Sequence, residues 1–161
     1  MEPKKIAPFF WIFFIFLIQN ALNFIVPQKS PVLLLAAVLF YALSEGPRFG
    51  FFLGAYTGML LEIFGVGRIG GEMLVFSLMG FIFGQSSVTF FRESFFSQLV
   101  LPVLAFYFTV LLRFLLLRIS GGITGEFSLI RESFLSWEIV AVMAVSPAIF
   151  FFLKKISYSR R

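Results

Sequence analysis

Three ionisable side chains interrupt long apolar runs in this sequence: Glu62, Arg113 and Glu138. Charge in apolar surroundings is costly unless it is paired or reaches water. The three can therefore form an ion pair, snorkel separately to water, or line a ligand or proton path. Gln19, Asn20 and Asn23 add amides to the first run, and Gln19 and Asn23 share one helix face at i and i+4. They suit hydrogen bonding across helices, worth about 1 kcal/mol each, or the lining of a polar ligand site. Ser86 and Ser87 supply hydroxyls, but the chain contains no His, Cys or Asp. The commonest general base, the commonest metal ligand and half of the usual carboxylates are thus missing. No nucleophile can be activated and no metal constellation built, so no catalytic residue, metal or cofactor is expected and the chain is read as a non-enzyme.

The elements that would position these groups are read from hydropathy. The 161 residues are 60% hydrophobic and 13% charged, with 26 Phe, and mean hydropathy is +0.99. A water-soluble domain of this size could not hide so much apolar surface, and the apolar residues come in unbroken runs, so lipid is the expected solvent. Transmembrane helices are predicted over residues 6–26, 31–44, 49–66, 73–91, 97–117 and 134–153. The first run lacks a small-residue cleavage site and is kept as a span. The second is the weakest, because 14 residues at 1.5 Å each fall short of a hydrocarbon core of about 30 Å. Its limits are nevertheless well marked, by Ser30 and Pro31 at the start and by Gly46 and Pro47 at the stop. Short connections make sequential helices antiparallel neighbours. The expected fold is an all-α integral membrane protein, a single compact bundle of six transmembrane helices spanning residues 1–161 as one domain.

Basic residues orient that bundle. With both termini cytoplasmic, Lys4, Lys5, Arg48, Arg92, Lys154, Lys155, Arg160 and Arg161 lie inside and Lys29, Arg68, Arg118 and Arg131 outside, eight against four. Omitting the second span gives only seven against five, so six spans are preferred. Glu62, Arg113 and Glu138 then share a depth, each about one turn, roughly 6 Å, inside the outer boundary, and Arg113 is expected within direct or water-bridged reach of Glu62 or Glu138. The net charge of +5 fixes topology and touches anionic lipid; nucleic acid is not an expected partner. Trp11 and Trp137 read as interfacial anchors. Residues 65–71 form a glycine-rich turn, and the long loop 118–133 carries either a surface helix, with Phe127, Ile130 and Phe134 on one face, or a plain solvated segment.

The third predicted helix carries Gly46, Gly50, Gly54 and Gly58 at every fourth position, and the fourth carries Gly80 and Gly84. Such rows let helix backbones approach closely, either within the bundle or as a docking groove for a partner's transmembrane helix. The stretch EGPRFGFFLGAYTGMLLE, residues 45–62, with Pro31-Val32-Leu33-Leu34-Leu35 before it and the glycine-rich turn after it, resembles the bacterial rod shape-determining MreD family. Gln19, the Phe91-Arg92-Glu93-Ser94 hairpin and the chain length fit as well. The motif residues are Gly46, Pro47, Arg48 and Glu62. Where the family usually has Asp after the proline opening the second span, this chain has Val32, and Glu62 replaces a second Asp.

The resemblance implies a non-enzymatic subunit of the cell-elongation machinery in the bacterial cytoplasmic (inner) membrane. It would bind an MreC-like single-span protein and work indirectly with MreB, RodA and a class-B transpeptidase to organise peptidoglycan synthesis. Self-association into a homo-oligomer stays open. The family is also similar in fold to the substrate-binding subunits of energy-coupling-factor transporters, so the rival expectation is a small-molecule-binding subunit of the vitamin-uptake type. Those proteins typically show Ala-x-x-x-Ala in the first span, which here holds only Ala7 and Ala21.

Overall fold

Gly46 and Pro47 make the tightest joint in the chain. Gly46 adopts φ +96, a left-handed conformation that costs glycine little, and its N–H donates to Ala42 O at 3.0 Å, closing the helix before it. Pro47 opens the next helix, where its fixed φ is already helical and its missing N–H would have had no partner. One residue therefore separates α2 (Val32–Glu45) from α3 (Pro47–Phe64).

The computed structural model describes residues 7–25, 32–64, 70–85, 95–119 and 137–158. Among them the protein is all-helical, with α1 (Ala7–Ile25), α2, α3, α4 (Gly71–Gln85), α5 (Phe95–Ile119) and α6 (Trp137–Tyr158). Six helices were expected, and the differences lie at their ends. Pro47 brings the start of α3 forward by two residues, and Gly70, at φ +100, lets α4 begin at Gly71. Helix α5 runs two residues past its expected end, to Ile119. Positions 86–91 and 134–136, most of the 65–71 turn and the face carrying Phe127 and Ile130 lie outside the described residues. Among the described residues no helix is long and apolar enough to cross a membrane.

The shortest helix is the hub. α2 packs against each of the other five helices, and ten of its 14 residues are buried, from Val32 through Ala42. An apolar run without a polar face is what such a position requires, since every side of the helix meets protein. Around it, α1 runs parallel to α3, with Phe9 against Phe49 and Tyr56 and Phe16 against Phe64. On α1 the buried side chains Ile12, Phe16 and Gln19 form one helical stripe. On α6 the stripe is Val142, Ser146, Phe150 and Leu153, with Phe150 meeting Phe40 of α2 edge-on at 5.3 Å. Trp11 packs edge-on against Phe152 at 6.1 Å, so the start of α1 and the end of α6 lie together. Pro102 and Pro147 are accommodated inside α5 and α6. Buried hydroxyls turn back on their own helices: Thr57 donates to Leu53 O, Ser77 to Met73 O and Thr109 to Phe106 O.

Candidate functional site

The glycine row forms a seam. α3 and α4 make the most extensive helix pair in the fold and run antiparallel, with Gly50 against Gly80, Gly54 against Phe76, Gly58 against Met73 and Gly84 against Pro47. A Cβ at Gly54 would lie 2.6 Å from Phe76 C; at Gly58, 2.5 Å from Met73 N; at Gly80, 2.6 Å from Gly50 C; and at Gly84, 2.6 Å from Pro47 Cα. All four obstacles are backbone atoms, which no rotamer change can move. Gly50 is enclosed on a second side, where its Cβ would come 2.7 Å from Ala42 Cβ of α2. Of the two uses open to these glycines, the structure realises packing within the bundle: α4 occupies the face that a partner's helix would need. Gly46 differs, for nothing lies within 4 Å of a Cβ there and its constraint is the positive φ alone.

Polar side chains tie helices together at the opposite end from Gly46. Gln19 is 2% exposed, and its Oε1 accepts from Leu33 N–H at 3.0 Å, satisfying one of the free donors in the first turn of α2. Glu62, at the end of α3, does the same for α4: its Oε1 accepts from Met73 N–H at 3.0 Å. A carboxylate there also meets the positive end of the helix dipole. Both side chains therefore cap a following helix from a preceding one.

Arg113 was expected within direct or water-bridged reach of Glu62 or Glu138; the Glu138 half of that expectation lies outside the described side chains, and among the described ones Arg113 pairs with Glu72 instead of Glu62. Its Nη2 donates to Glu72 Oε2 at 2.7 Å, across α5 and α4. Glu62 Oε1 accepts from Met73 N–H instead, and the side chains of Glu138 and Asn23 lie outside those described. Glu72 was missed because the fourth helix was expected to start at Met73, which put the residue in a connecting loop. The signal available was the glycine pair Gly70-Gly71, which starts the helix early and places Glu72 in its first turn, where acids are favoured. Arg113 and Glu72 keep 26% and 29% of their side-chain surface, while Arg113 Nε is buried without a partner among the described residues. Arg48 is exposed in the first turn of α3. Among the described residues no group of three or more acidic side chains is placed to hold a metal ion.

The chain matches no known family model, no characterised protein and no solved structure.

Proposed function

We propose that this protein is a non-enzymatic membrane subunit of the bacterial cell-elongation machinery, of the MreD type. One observation carries the reading. The motif on which the resemblance rests, residues 45–62, is consumed by architecture: Gly46 and Pro47 make the joint, Gly50, Gly54 and Gly58 make the seam, and Glu62 makes the cap. A motif used this way belongs to a rigid scaffold that presents its outer surface to partners.

That surface supports the bilayer part of the proposal. Large apolar side chains point outward around the bundle, among them Phe10, Phe52, Phe64, Ile119 and Phe151, each more than three-fifths exposed. Soluble monomers of this size seldom expose contiguous apolar patches above a few hundred Å². Individual helices that fall short of a full span are tolerated where neighbours cover them, as the five around α2 do. The partner is a single-span protein of the MreC kind, seated on an outer face, since α4 fills the glycine row. A carrier of small molecules would need polar contacts other than Gln19, whose Oε1 is engaged by Leu33.

The test has two arms. The chain should stay with membranes through a carbonate wash, and in detergent it should co-purify with a co-expressed MreC-like protein in a fixed ratio. Recovery with the membrane but never with such a partner, together with normal rod shape after deletion of the gene, would refute the elongation role and leave the bilayer reading standing.

A further inference from the structure

Two neighbouring amides on α1 have opposite surroundings. Gln19 faces the core and caps α2, whereas Asn20, about 100° further round the helix, is exposed on its outer side. No hydrogen bond among the described residues engages Asn20. Within a bilayer this is a costly place for an amide. At 1.5 Å per residue, Asn20 lies roughly 20 Å from the start of α1 and roughly 7 Å from its end. Its single methylene is too short to carry the amide to interfacial water, as the long stems of Lys and Arg do for their charges. A carboxamide turned to lipid leaves two donors and an acceptor without partners.

The residues beside it have the spacing of a helix-docking seam. Phe10, Phe13 and Leu17 are exposed, and with Asn20 they recur at intervals of three, four and three, the pattern that keeps one stripe turned to a facing helix. Together with Trp11 and Phe14, the three apolar residues line an open trough of about 480 Å³, which gives the side chains of such a helix somewhere to enter. We infer that this stripe of α1 docks against the same stripe of a second copy of the chain, with the two Asn20 amides hydrogen-bonded to each other across a twofold axis normal to the membrane. The amide points to that occupant. It carries both donor and acceptor, so it is complementary to its own copy, and a twofold axis brings the two to the same depth on parallel helices. The apolar residues alone would not select a partner, since lipid tails are as apolar as Phe and Leu; the amide pair supplies register and specificity. The inference rests on the bilayer reading above and leaves the α3–α4 seam inside each copy.

The experiment uses the full chain in phosphatidylcholine vesicles over a range of protein-to-lipid ratios, with dimerisation read by energy transfer between donor- and acceptor-labelled copies. Asn20→Leu should weaken the dimer roughly tenfold, and Asn20→Gln, which keeps an amide, should retain most of the affinity. The chain has no cysteine, so single thiols report the contact directly: on oxidation Leu17→Cys should trap a dimer, and Met143→Cys, exposed on α6, should not. A chain that is monomeric at every ratio, an Asn20→Leu variant as dimeric as the wild type, or equal trapping at positions 17 and 143 overturns the dimer and leaves the bilayer reading standing. Trapping at position 17 only with a co-expressed single-span protein also overturns it and assigns the face to that partner. A chain that never enters the vesicles overturns both readings.

Discussion

Replacing Gly54 by leucine is expected to force α3 and α4 apart. A Cβ at this position would lie 2.6 Å from Phe76 C and 3.0 Å from Ser77 N, whereas carbon contacts settle at about 3.5–4.0 Å. The pair must therefore separate by roughly 1 Å before the rest of the leucine side chain is placed. Overpacking typically costs about 1–3 kcal/mol. The obstacles here are main-chain atoms within a helix, so the upper end applies, and about 3 kcal/mol shifts the folded-to-unfolded ratio by roughly 100-fold. Gly54→Ala, which adds the Cβ alone, should fall between leucine and wild type. Phe52→Leu is the control on the same helix: Phe52 is 63% exposed, and a surface exchange of this kind stays within about 0.5 kcal/mol. Equilibrium unfolding in mixed micelles, followed by helicity and by the distance between labels on α3 and α4, measures all three. If Gly54→Leu and Phe52→Leu unfold within about 0.5 kcal/mol of each other, the seam does not hold the helices and the steric reasoning fails.

The Arg113–Glu72 link should show a coupling of about 1 kcal/mol, above the median for exposed pairs because both side chains are mostly covered; Arg113→Leu should destabilise more than Arg113→Leu with Glu72→Gln, whereas pairing Arg113→Leu with Glu62→Gln should be additive. Gln19→Leu should cost about 1 kcal/mol, since it leaves the partly buried Leu33 N–H without its acceptor, and hydrogen exchange at that amide should accelerate; an unchanged exchange rate would mean that water or another group replaces the cap. Both chain termini should label from the same side of the membrane, with residues 3 and 158 accessible together and residue 125 from the opposite side, because α1 begins where α6 ends; opposite labelling of the termini would contradict the contact of Trp11 with Phe152.

Helix positions were legible because apolar runs end at residues with their own backbone chemistry. Gly46 and Pro47 stop one helix and start another for reasons visible in any sequence, and the row from Gly50 to Gly84 announces close backbone contact before its partner is known. Which helix lies at the centre was not legible. α2 and its neighbours are apolar on all sides, so periodicity cannot distinguish a face against protein from a face outward, and the length of α2 spoke only to whether it spans a bilayer, not to its enclosure by the other helices. The polar contacts were half legible. Gln19, Glu62 and Arg113 stood out as groups needing partners, but two of the partners are the backbone N–H groups of Leu33 and Met73, which no residue type reveals. The third is Glu72, hidden by a helix boundary misplaced by two residues.

The two ends of the bundle are held by different physics. At the Gly46 end, α2 and α3 are joined by a single residue, and Gly84 of α4 comes against Pro47, so the helices are fixed by covalent geometry and backbone contact. At the other end the links are polar: Gln19 to the start of α2, Glu62 to the start of α4, and Arg113 of α5 to Glu72. Gln19 and Glu62 each tie a helix terminus to a side chain from a different helix, and Arg113 reaches a side chain in the first turn of α4. Where the surroundings are as apolar as the core, hydrophobic burial does not tell one helix pairing from another. Register must then come from contacts that fail when shifted: a slip of one turn along α3 would only exchange one glycine of the row for the next, but it would withdraw Glu62 from Met73 N–H. The seam therefore fixes which faces of α3 and α4 meet and how closely, and the cap selects the register among one-turn shifts, which is why the motif at residues 45–62 needs both its glycines and its terminal acid.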